Sequence, residues 1–389
     1  MKTLIELFDE TPIENVLAAD VFHPERVIYL CPSEIAQDRV KHRKLREYFA
    51  SHGLSAEVIF QDTSLFHADK VERQIRRVLE EYPDCAIDIA GGSDAALFAA
   101  GFVCSETDIP VFTHSRKKQC FFNINNASFA HHLPFSVRYT VEDFFLMAYG
   151  SVKEGRVNNK ELECYLDRID DFFAVFLKYR RRWNHFITWM QKASPSDKNG
   201  NVSLSVNCEF EMKGERGSRI PADEDLLQAF EKLGFLADLK IEKEKEVSFR
   251  FADEQIRFWL RDQGSVLELY TWKACRDTEL FYDVRCSTIV EWDSAENRDK
   301  VTNEIDVMAV KDTIPVFISC KTCAIDTVAI NELAILRDRY GGSAAKAIII
   351  STENCRAITL RRANALNIDI ITLNDLRSGL LKEQIRALN

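Results

Sequence analysis

Two short runs of sequence, NEIDV at residues 303–307 and VFISCKT at residues 316–322, decide the fold of the C-terminal part of this chain. Each run predicts a β-strand, and the short polar turn between them predicts a hairpin. Because side chains alternate between the two faces of a strand, Asp306 and Lys321 can face each other across this hairpin. The sequence therefore predicts a carboxylate and an ammonium group side by side at the edge of a sheet.

A carboxylate beside a lysine suits the hydrolysis of a phosphodiester. Asp306 can hold a hard divalent cation, Mg²⁺ or Mn²⁺, through oxygen, and such a cation polarises a phosphate and activates a bound water. Lys321 can orient that water and stabilise the negative charge that develops. An ordinary hairpin with one salt bridge is the alternative that these two strands leave open.

Neighbouring elements supply further acids. Residues 265–276 predict a helix whose polar face can bring Glu268 to the same site, and a helix after Lys321 carries Glu332. The order of helix, strand, Asp-bearing strand, Lys-bearing strand, helix and strand resembles the PD-(D/E)xK nuclease core. This order predicts a restriction-endonuclease-like domain over residues 261–389.

Ser319 departs from the PD-(D/E)xK pattern, which most often has an acid two residues before the lysine. A hydroxyl is a poorer metal ligand than a carboxylate, so metal binding would depend on Asp306, on Glu268 or Glu332, and on the backbone carbonyl of Cys320. We expect activity to survive because the other positions are intact. Three alternatives stay open: a slower enzyme, an enzyme with a changed metal preference, and an inactive nuclease.

Residues 1–150 alternate between strand-like and helix-like runs, which predicts a Rossmann-like α/β domain with a mostly parallel sheet covered on both faces. The run TPIE at residues 11–14 predicts a helix start, with Thr11 as the N-cap in a capping box. Residues 119–124 and 128–132 predict a closing hairpin.

Two strand ends in this domain predict a ligand site. The run DIAGGSD at residues 88–94 is a strand-to-helix turn, where glycines admit a ligand to the backbone and the helix N-terminus suits phosphate. The run CPS at residues 31–33 opens another helix at the same sheet edge, where open α/β sheets bind ligands. A tight turn with a helix cap is the alternative. The candidate ligand-binding residues are Cys31, Pro32, Ser33, Gly91, Gly92, Ser93 and Asp94.

Residues 151–260 predict a helical connector and a small mixed module, for which a winged helix stays open. The predicted domains are therefore residues 1–150, 151–260 and 261–389. The net charge of −10 argues against a protein that coats long duplex DNA. The absence of an apolar run of about 18 residues argues against a membrane span, and we expect a cytoplasmic protein.

The two ends of the chain together resemble the CRISPR accessory nucleases of the Can/Card type, which belong to type III systems. The nuclease resemblance lies in GSVLELY, NEIDVMAV, PVFISCKT and ELAILRDRYGG at residues 264–270, 303–310, 315–322 and 332–342. The resemblance to their CARF sensor domain lies in TPIENVLAADVFHPERVIYL and DIAGGSDAALFAAG at residues 11–30 and 88–101.

The resemblance implies a metal-dependent endonuclease that acts in antiviral defence and is activated by a cyclic oligoadenylate, most often cyclic tetra-adenylate. Because that ring is two-fold symmetric, it suits a pocket shared across a homodimer. Implied substrates are single-stranded RNA and DNA, with nicking of supercoiled DNA. Arg116, Lys117 and Lys118 either reach the ring phosphates or form a solvated loop.

Other functions stay open. A constitutive repair or resolvase-like nuclease would use its N-terminal sheet only for assembly. A ligand-responsive regulator would carry an inactive nuclease fold. The sensor could also slowly degrade its own ring ligand.

Overall fold

The N-terminal part of the chain is a twisted sheet flanked by helices. The computed structural model describes residues 1–125, 128–155, 157–195, 202–214, 217–291 and 302–387. The N-terminal strands are β1 (Thr3–Leu7), β2 (Arg26–Cys31), β3 (Glu57–Asp62), β4 (Cys85–Asp88), β5 (Val111–Ser115), β6 (Cys120–Asn123) and β7 (Leu133–Pro134). The helices are α1 (Leu17–Phe22), α2 (Ser33–Ala36), α3 (Arg39–Ser51), α4 (Ala68–Glu81), α5 (Asp94–Glu106) and α6 (Val141–Met147).

The strand order in this sheet is β3-β2-β1-β4-β5-β6-β7. The strands from β3 to β5 pair in parallel because helices cross over between them, and β6 and β7 add antiparallel at one edge. The predicted Rossmann-like, mostly parallel sheet is confirmed. The chain reverses its direction of strand addition between β1 and β4, and ligands bind at this switch point in open α/β sheets.

The closing hairpin is wrong in its second strand. The strand that pairs with β6 is β7, not residues 128–132. Ala130 and His132 have positive φ angles of 57° and 47°, so this stretch turns back instead of extending.

The predicted helix start at residues 11–14 is confirmed in its position, with Thr11 as the N-cap, but the predicted capping box is wrong. Pro12–Asn15 form a 3₁₀-helix, and the Thr11 side chain makes no capping hydrogen bond. The Glu14 carboxylate, which would complete a capping box, instead pairs with His114 and Arg116. A buried ion pair has replaced the local cap.

The middle of the chain adds a strand, a long helix and a small antiparallel sheet. Its elements are β8 (Ser151–Glu154), α7 (Leu166–Ala193), β9 (Ser205–Glu209), β10 (Glu211–Lys213), β11 (Arg219–Pro221), α8 (Glu224–Lys232), β12 (Leu236–Glu242), β13 (Glu246–Phe251) and α9 (Glu254–Trp259). The helix of the predicted helical connector is α7, and it bends at Tyr179, where φ is −107° and ψ is 15°. The turn-rich run SPSDKNGN at residues 194–201, which predicts a linker, lies mostly outside the described residues.

The C-terminal part is a second α/β unit. Its elements are α10 (Ser265–Asp277), β14 (Asp283–Glu291), β15 (Thr302–Lys311), β16 (Ile314–Lys321), α11 (Thr327–Gly341), β17 (Lys346–Ser351), α12 (Ala357–Ala365), β18 (Asp369–Ile371), α13 (Leu373–Arg377) and α14 (Leu381–Ala387). The sheet order is β18-β17-β16-β15-β14-β8, so β8 from the middle region completes this sheet. Within the described residues, no helix is both long and apolar enough to cross a membrane.

Two large apolar cores cover the two faces of the C-terminal sheet. On one face, Val307 and Ile318 pack with α10, α7 and the middle module. On the other face, Met308 and Phe317 belong to a core that continues into the N-terminal sheet at Leu4. The N-terminal and C-terminal sheets therefore share one apolar core, and neither buries that face alone.

Arg116 bridges the two sheets inside this interface. The guanidinium is buried, pairs with Glu14 at 3.2 Å, and donates to the carbonyls of Gly341 at 3.0 Å and Thr313 at 3.4 Å. Neither predicted role for Arg116 holds, because it is neither in a solvated loop nor free to meet a ligand. A buried charge needs such partners on every side.

His114 extends this buried polar group towards the end of β4. Its Nε2 lies 2.8 Å from a Glu14 carboxylate oxygen, and its Nδ1 lies 3.8 Å from a carboxylate oxygen of Asp88. Burial alone would lower the pKa of His114, but the two carboxylates outweigh burial and raise it to about 9. The imidazolium form is therefore part of the folded structure near neutral pH.

We expect the stabilisation from His114 to be lost as the pH rises. Its pKa rises from 6.5 when unfolded to about 9 when folded, so the contribution is complete below pH 6.5 and disappears towards pH 9. Relative to His114→Gln, the wild-type free energy of unfolding should lose on the order of 3 kcal/mol over that range. Urea unfolding at several pH values measures this difference. The exposed His131→Gln control should show none, and a pH-independent difference for His114→Gln would contradict the assignment.

Candidate active site

Asp306 is held at the junction of strands β15 and β16. Val307 pairs with Ile318, so Asp306 lies across from Ser319 where the two strands begin to separate. Its carboxylate accepts hydrogen bonds from the backbone N–H of Cys320 at 2.6 Å and from the Ser319 hydroxyl at 3.2 Å. These bonds fix one carboxylate oxygen in a defined position.

Lys321 lies beside this carboxylate at the end of β16. Its Nζ is 3.9 Å from Asp306 Oδ2, and its side chain is 34% exposed. The structure therefore brings together the aspartate and the lysine that the hairpin pattern paired. The ammonium is near the carboxylate and still accessible to a substrate.

Glu268 approaches the same site from helix α10. Burial raises the pKa of Glu268 well above its ordinary value, and the nearby charges of Asp306 and Asp262 raise it further. Gly264 makes room for this side chain, because a Cβ at that position would lie 2.6 Å from Glu268 Oε1. Asp262 begins the helix by accepting from the backbone N–H groups of Gly264 and Ser265.

The pKa of Asp306 is also raised, first by burial, while Lys321, the Cys320 N–H and the Ser319 hydroxyl oppose the rise. The charge of Glu304 also raises the pKa of Asp306, and the charge of Asp306 raises that of Glu268, so the site has unbalanced negative charge. A divalent cation would relieve this repulsion, so the donor set fits a hard metal ion. Among the described residues, however, no group of three or more His, Cys, Asp or Glu side chains is assembled to hold one.

Ser319 has a role that its sequence position did not suggest. Its hydroxyl donates to Asp306, so it orients that carboxylate and need not be a metal ligand itself. The Cys320 thiol is buried and donates to the Thr271 hydroxyl at 3.5 Å, which leaves only its backbone carbonyl as a candidate ligand.

Glu332 is placed differently from the other predicted acids. It is exposed on helix α11, and none of the contacts among the described residues joins it to Asp306, Glu268 or Lys321. The structure therefore does not bring Glu332 into this cluster.

Glu304 and Ser287 are additional members of the site that the sequence prediction did not include. Glu304 raises the pKa of both Glu268 and Asp306, and it accepts a hydrogen bond of 2.5 Å from the Ser287 hydroxyl. Ser287 has a φ of 49°, which is unusual inside a strand. Glu304 shares a strand face with Asp306, and that alternation was the signal that could have identified it.

The second candidate site lies at the carboxyl ends of the N-terminal strands. The turn after β4 packs against the end of β1, where the Gly92 N–H donates to Asp9 at 3.1 Å. A Cβ at Gly91 would lie 2.7 Å from the Asp9 Cβ, and Gly92 has a φ of 91°. Both glycines are therefore required by close packing at the switch point between β1 and β4.

The remaining predicted ligand-binding residues differ in accessibility. The Cys31 side chain is buried, and burial raises its pKa to about 12, so only its backbone could meet a ligand. Ser33 is exposed and donates to Asp62 at 2.8 Å. Ser93 caps α5 by accepting from Ala96 N–H, and its hydroxyl donates to the Leu65 carbonyl. Two further candidates, Pro32 and Asp94, are half-buried and exposed respectively.

Comparisons with known proteins agree with this architecture. Residues 252–388 match the family model of the Card1-like endonuclease domain. No curated protein sequence matches the chain.

Solved structures share the fold over nearly the whole chain. Protein VC1899 from Vibrio cholerae superposes with a TM-score of 0.73 at 18% identity, covering 98% of this chain and 96% of that one. Can2 from Sulfobacillus thermosulfidooxidans, in complex with cyclic tetra-adenylate, gives 0.70 at 17% identity with the same coverage. A type III CRISPR defence DNA nuclease activated by cyclic oligoadenylate gives 0.50 at 13% identity, covering 91% of this chain and 46% of that one.

These findings confirm the resemblance and the α/β fold class that the sequence predicted. Residues 252–388 are thus similar to the Card1-like endonuclease domain, and the chain shares its fold with Can2 over almost its entire length.

Proposed function

We propose that this protein is a metal-dependent endonuclease, activated by a cyclic oligoadenylate, that cleaves single-stranded RNA or DNA in CRISPR defence. The observation that carries the proposal is the convergence of Asp306, Glu268 and Lys321 at one end of the C-terminal sheet. An aspartate and a lysine from adjacent strands, with an acid from the preceding helix, supply the groups that phosphodiester hydrolysis needs.

Each residue of the site has a distinct task. Asp306, Glu268 and the Cys320 carbonyl would hold Mg²⁺ or Mn²⁺, and the ion, when bound, would activate water and neutralise phosphate charge. Lys321 orients the attacking water and stabilises the charge that develops on the phosphate. Ser319 and the Cys320 N–H orient Asp306. Because protonated carboxylates must lose their protons to bind metal, the raised pKa values make metal affinity increase with pH.

The N-terminal domain is proposed to sense the activator, with cyclic tetra-adenylate as the ligand. The fold is shared with Can2, whose structure contains this ring. The Gly91–Gly92 turn and Ser33 lie at the sheet edge where α/β domains bind ligands, and the N-terminus of α5 suits a phosphate.

Helix α5 is proposed to form the homodimer interface. Phe98 and Phe102 are 63% and 48% exposed, and their rings are 5.3 Å apart. Phe66 is 84% exposed and follows Leu65, whose carbonyl accepts a hydrogen bond from Ser93 at the start of α5. Large apolar groups exposed on one helix mark an interaction surface. Helix α5 begins at the Gly91–Gly92 turn. A two-fold axis that runs beside this helix and parallel to it would therefore bring the turns of the two subunits around one symmetric ring.

Substitution of Lys321 tests the enzymatic part of the proposal. We expect Lys321→Ala and Asp306→Asn each to lower the rate of cleavage by about 100-fold or more, because each removes a group that acts on the transition state. The assay follows labelled single-stranded RNA and DNA with Mg²⁺ or Mn²⁺ and cyclic tetra-adenylate. Lys346→Ala, at the opposite end of the same sheet, is the matched control and should cleave normally.

Two outcomes of this assay would favour the other candidate functions. Equal cleavage with and without the cyclic nucleotide would favour a constitutive nuclease. No cleavage with any divalent metal, together with ligand-dependent binding to DNA, would favour a regulator with an inactive nuclease fold.

A negative charge at the edge of the sensor sheet should weaken activation. We expect Ser33→Glu to lower the affinity for cyclic tetra-adenylate by about tenfold or more, since like charges repel across a partly desolvated contact. Calorimetric titration measures the affinity directly. Ser55→Glu, exposed just before β3 at the opposite end of the same sheet, should bind as the wild type does; equal affinities for both variants would place the ring elsewhere.

A charge on the apolar face of α5 should separate the dimer. We expect Phe98→Asp to shift the protein from dimer to monomer in size-exclusion chromatography with light scattering, because the carboxylate would be buried without a partner. Ile124→Asp replaces a side chain that is 53% exposed at the sheet edge and should leave the dimer intact. A dimer that persists in Phe98→Asp would exclude this face.

A further inference from the structure

A cleft of about 260 Å³ lies where helix α7 bends, beside the ends of strands β16 and β17. Its walls are mostly polar. The polar lining residues are Arg180, Arg181, Asn184, Thr322 and Glu353. Because Thr322 directly follows Lys321, the cleft opens next to the candidate active site, although the proposed reaction uses none of its α7 residues.

The bend of α7 concentrates positive charge at this cleft. Residues 178–182 (KYRRR) hold one lysine and three arginines in a chain whose net charge is −10. Arg182 is neutralised by two carboxylates, Asp223 at 3.3 Å and Asp225 at 2.9 Å. Arg181 is exposed, and within the described part of the chain no carboxylate pairs with it. Arg181 is therefore the cation that the cleft presents to solvent.

Arg180 links the cleft to the strand end that carries Lys321. Its guanidinium pairs with Glu353 and donates to the Thr352 carbonyl at 3.3 Å, while the Thr352 N–H donates to the Lys321 carbonyl at 3.0 Å. The buried Nε of Arg180 has no hydrogen-bond partner among the described residues. Arg180 thus has an unpaired N–H donor, and Thr352 alone connects it through hydrogen bonds to the backbone of Lys321.

The apolar wall of the cleft fixes these arginines in place. Phe176 and Trp183 are buried on either side of the bend, with their rings in edge-to-face contact at 5.2 Å. The Trp183 Nε1 donates to the Gln263 carbonyl at 3.3 Å, which ties the bend to the segment that precedes α10. The guanidinium groups therefore project from a rigid support.

We propose that this cleft binds a backbone phosphate of the nucleic-acid substrate, next to the phosphate that is cleaved at Lys321. Arg181 attracts the strand, and Arg180 exchanges its Glu353 carboxylate for the phosphate, to which a guanidinium binds in a bidentate manner. When no nucleic acid is bound, Glu353 pairs with Arg180. The inference rests on the proposed nuclease function and identifies the surface that holds its substrate.

Binding without cleavage tests this inference separately from catalysis. A fluorescently labelled single-stranded 20-nucleotide DNA or RNA is titrated with protein that carries Lys321→Ala, in EDTA, with cyclic tetra-adenylate present and absent. We expect Arg181→Ala and Arg180→Ala, added to this background, each to weaken binding by about tenfold and to lower the salt dependence by roughly one phosphate contact. Glu353→Gln, which frees Arg180, should strengthen binding several-fold.

Arg182→Ala is the matched control, since it removes the next arginine of the same helix, which already has carboxylate partners. Its binding should stay within about twofold of the background, the range expected for a surface residue outside the contact. Equal binding by Arg181→Ala and Arg182→Ala would overturn the proposal, as would weaker binding by Glu353→Gln. Arg181 is exposed, so its variant remains informative even if Arg180→Ala unfolds. A failure of the nuclease proposal would appear instead as normal strand binding by protein with Lys321 intact, with no cleavage when Mg²⁺ or Mn²⁺ is added.

Discussion

The buried charge of Arg116 is the constraint on which the rest of the structure depends. Its guanidinium is satisfied by Glu14 from the N-terminal domain and by the carbonyls of Gly341 and Thr313 from the C-terminal domain. If the domains separated, this cation and its carboxylate would each lose partners in an apolar setting, which is strongly unfavourable. The shared core around it means that both sheets are completed only by docking against each other.

Such docking bears on how a ligand signal could reach the nuclease site. A direct route runs through the interface between the domains, because Asp88 ends the strand before the Gly91–Gly92 turn and lies beside His114, which contacts Glu14 and through it Arg116. Because the two domains of one chain are packed this closely, a hinge between them is disfavoured, and the proposed dimer would respond through changes between its two subunits.

The sequence was most informative where local periodicity alone determines the outcome. The contact between Asp306 and Lys321 follows from the alternation of side chains in a hairpin whose two strands are neighbours in the sequence. The sequence was least informative where contacts between distant segments determine the role of a residue. The residues that predict a capping box at Glu14 are equally compatible with a buried ion pair, and the basic run at residues 178–182 is equally compatible with a solvated helix face. Only the fold places that run beside Lys321.

The close packing around Gly341 and Gly342 limits how the two domains of this chain can be exchanged for others. A Cβ at Gly341 would lie 2.7 Å from the Pro315 ring, and one at Gly342 would lie 2.4 Å from the Thr11 methyl group, where φ is already 62°. The contact at Gly341 lies within the C-terminal domain, whereas Gly342 faces the N-terminal domain, so the seam between the two domains leaves no room for a side chain at position 342. Chimeras that join a foreign N-terminal domain to this C-terminal domain would have to carry over residues 11–16 together with Arg116, which directly follows β5. Evolution by recombination would face the same restriction, so the two halves are expected to be inherited as a unit.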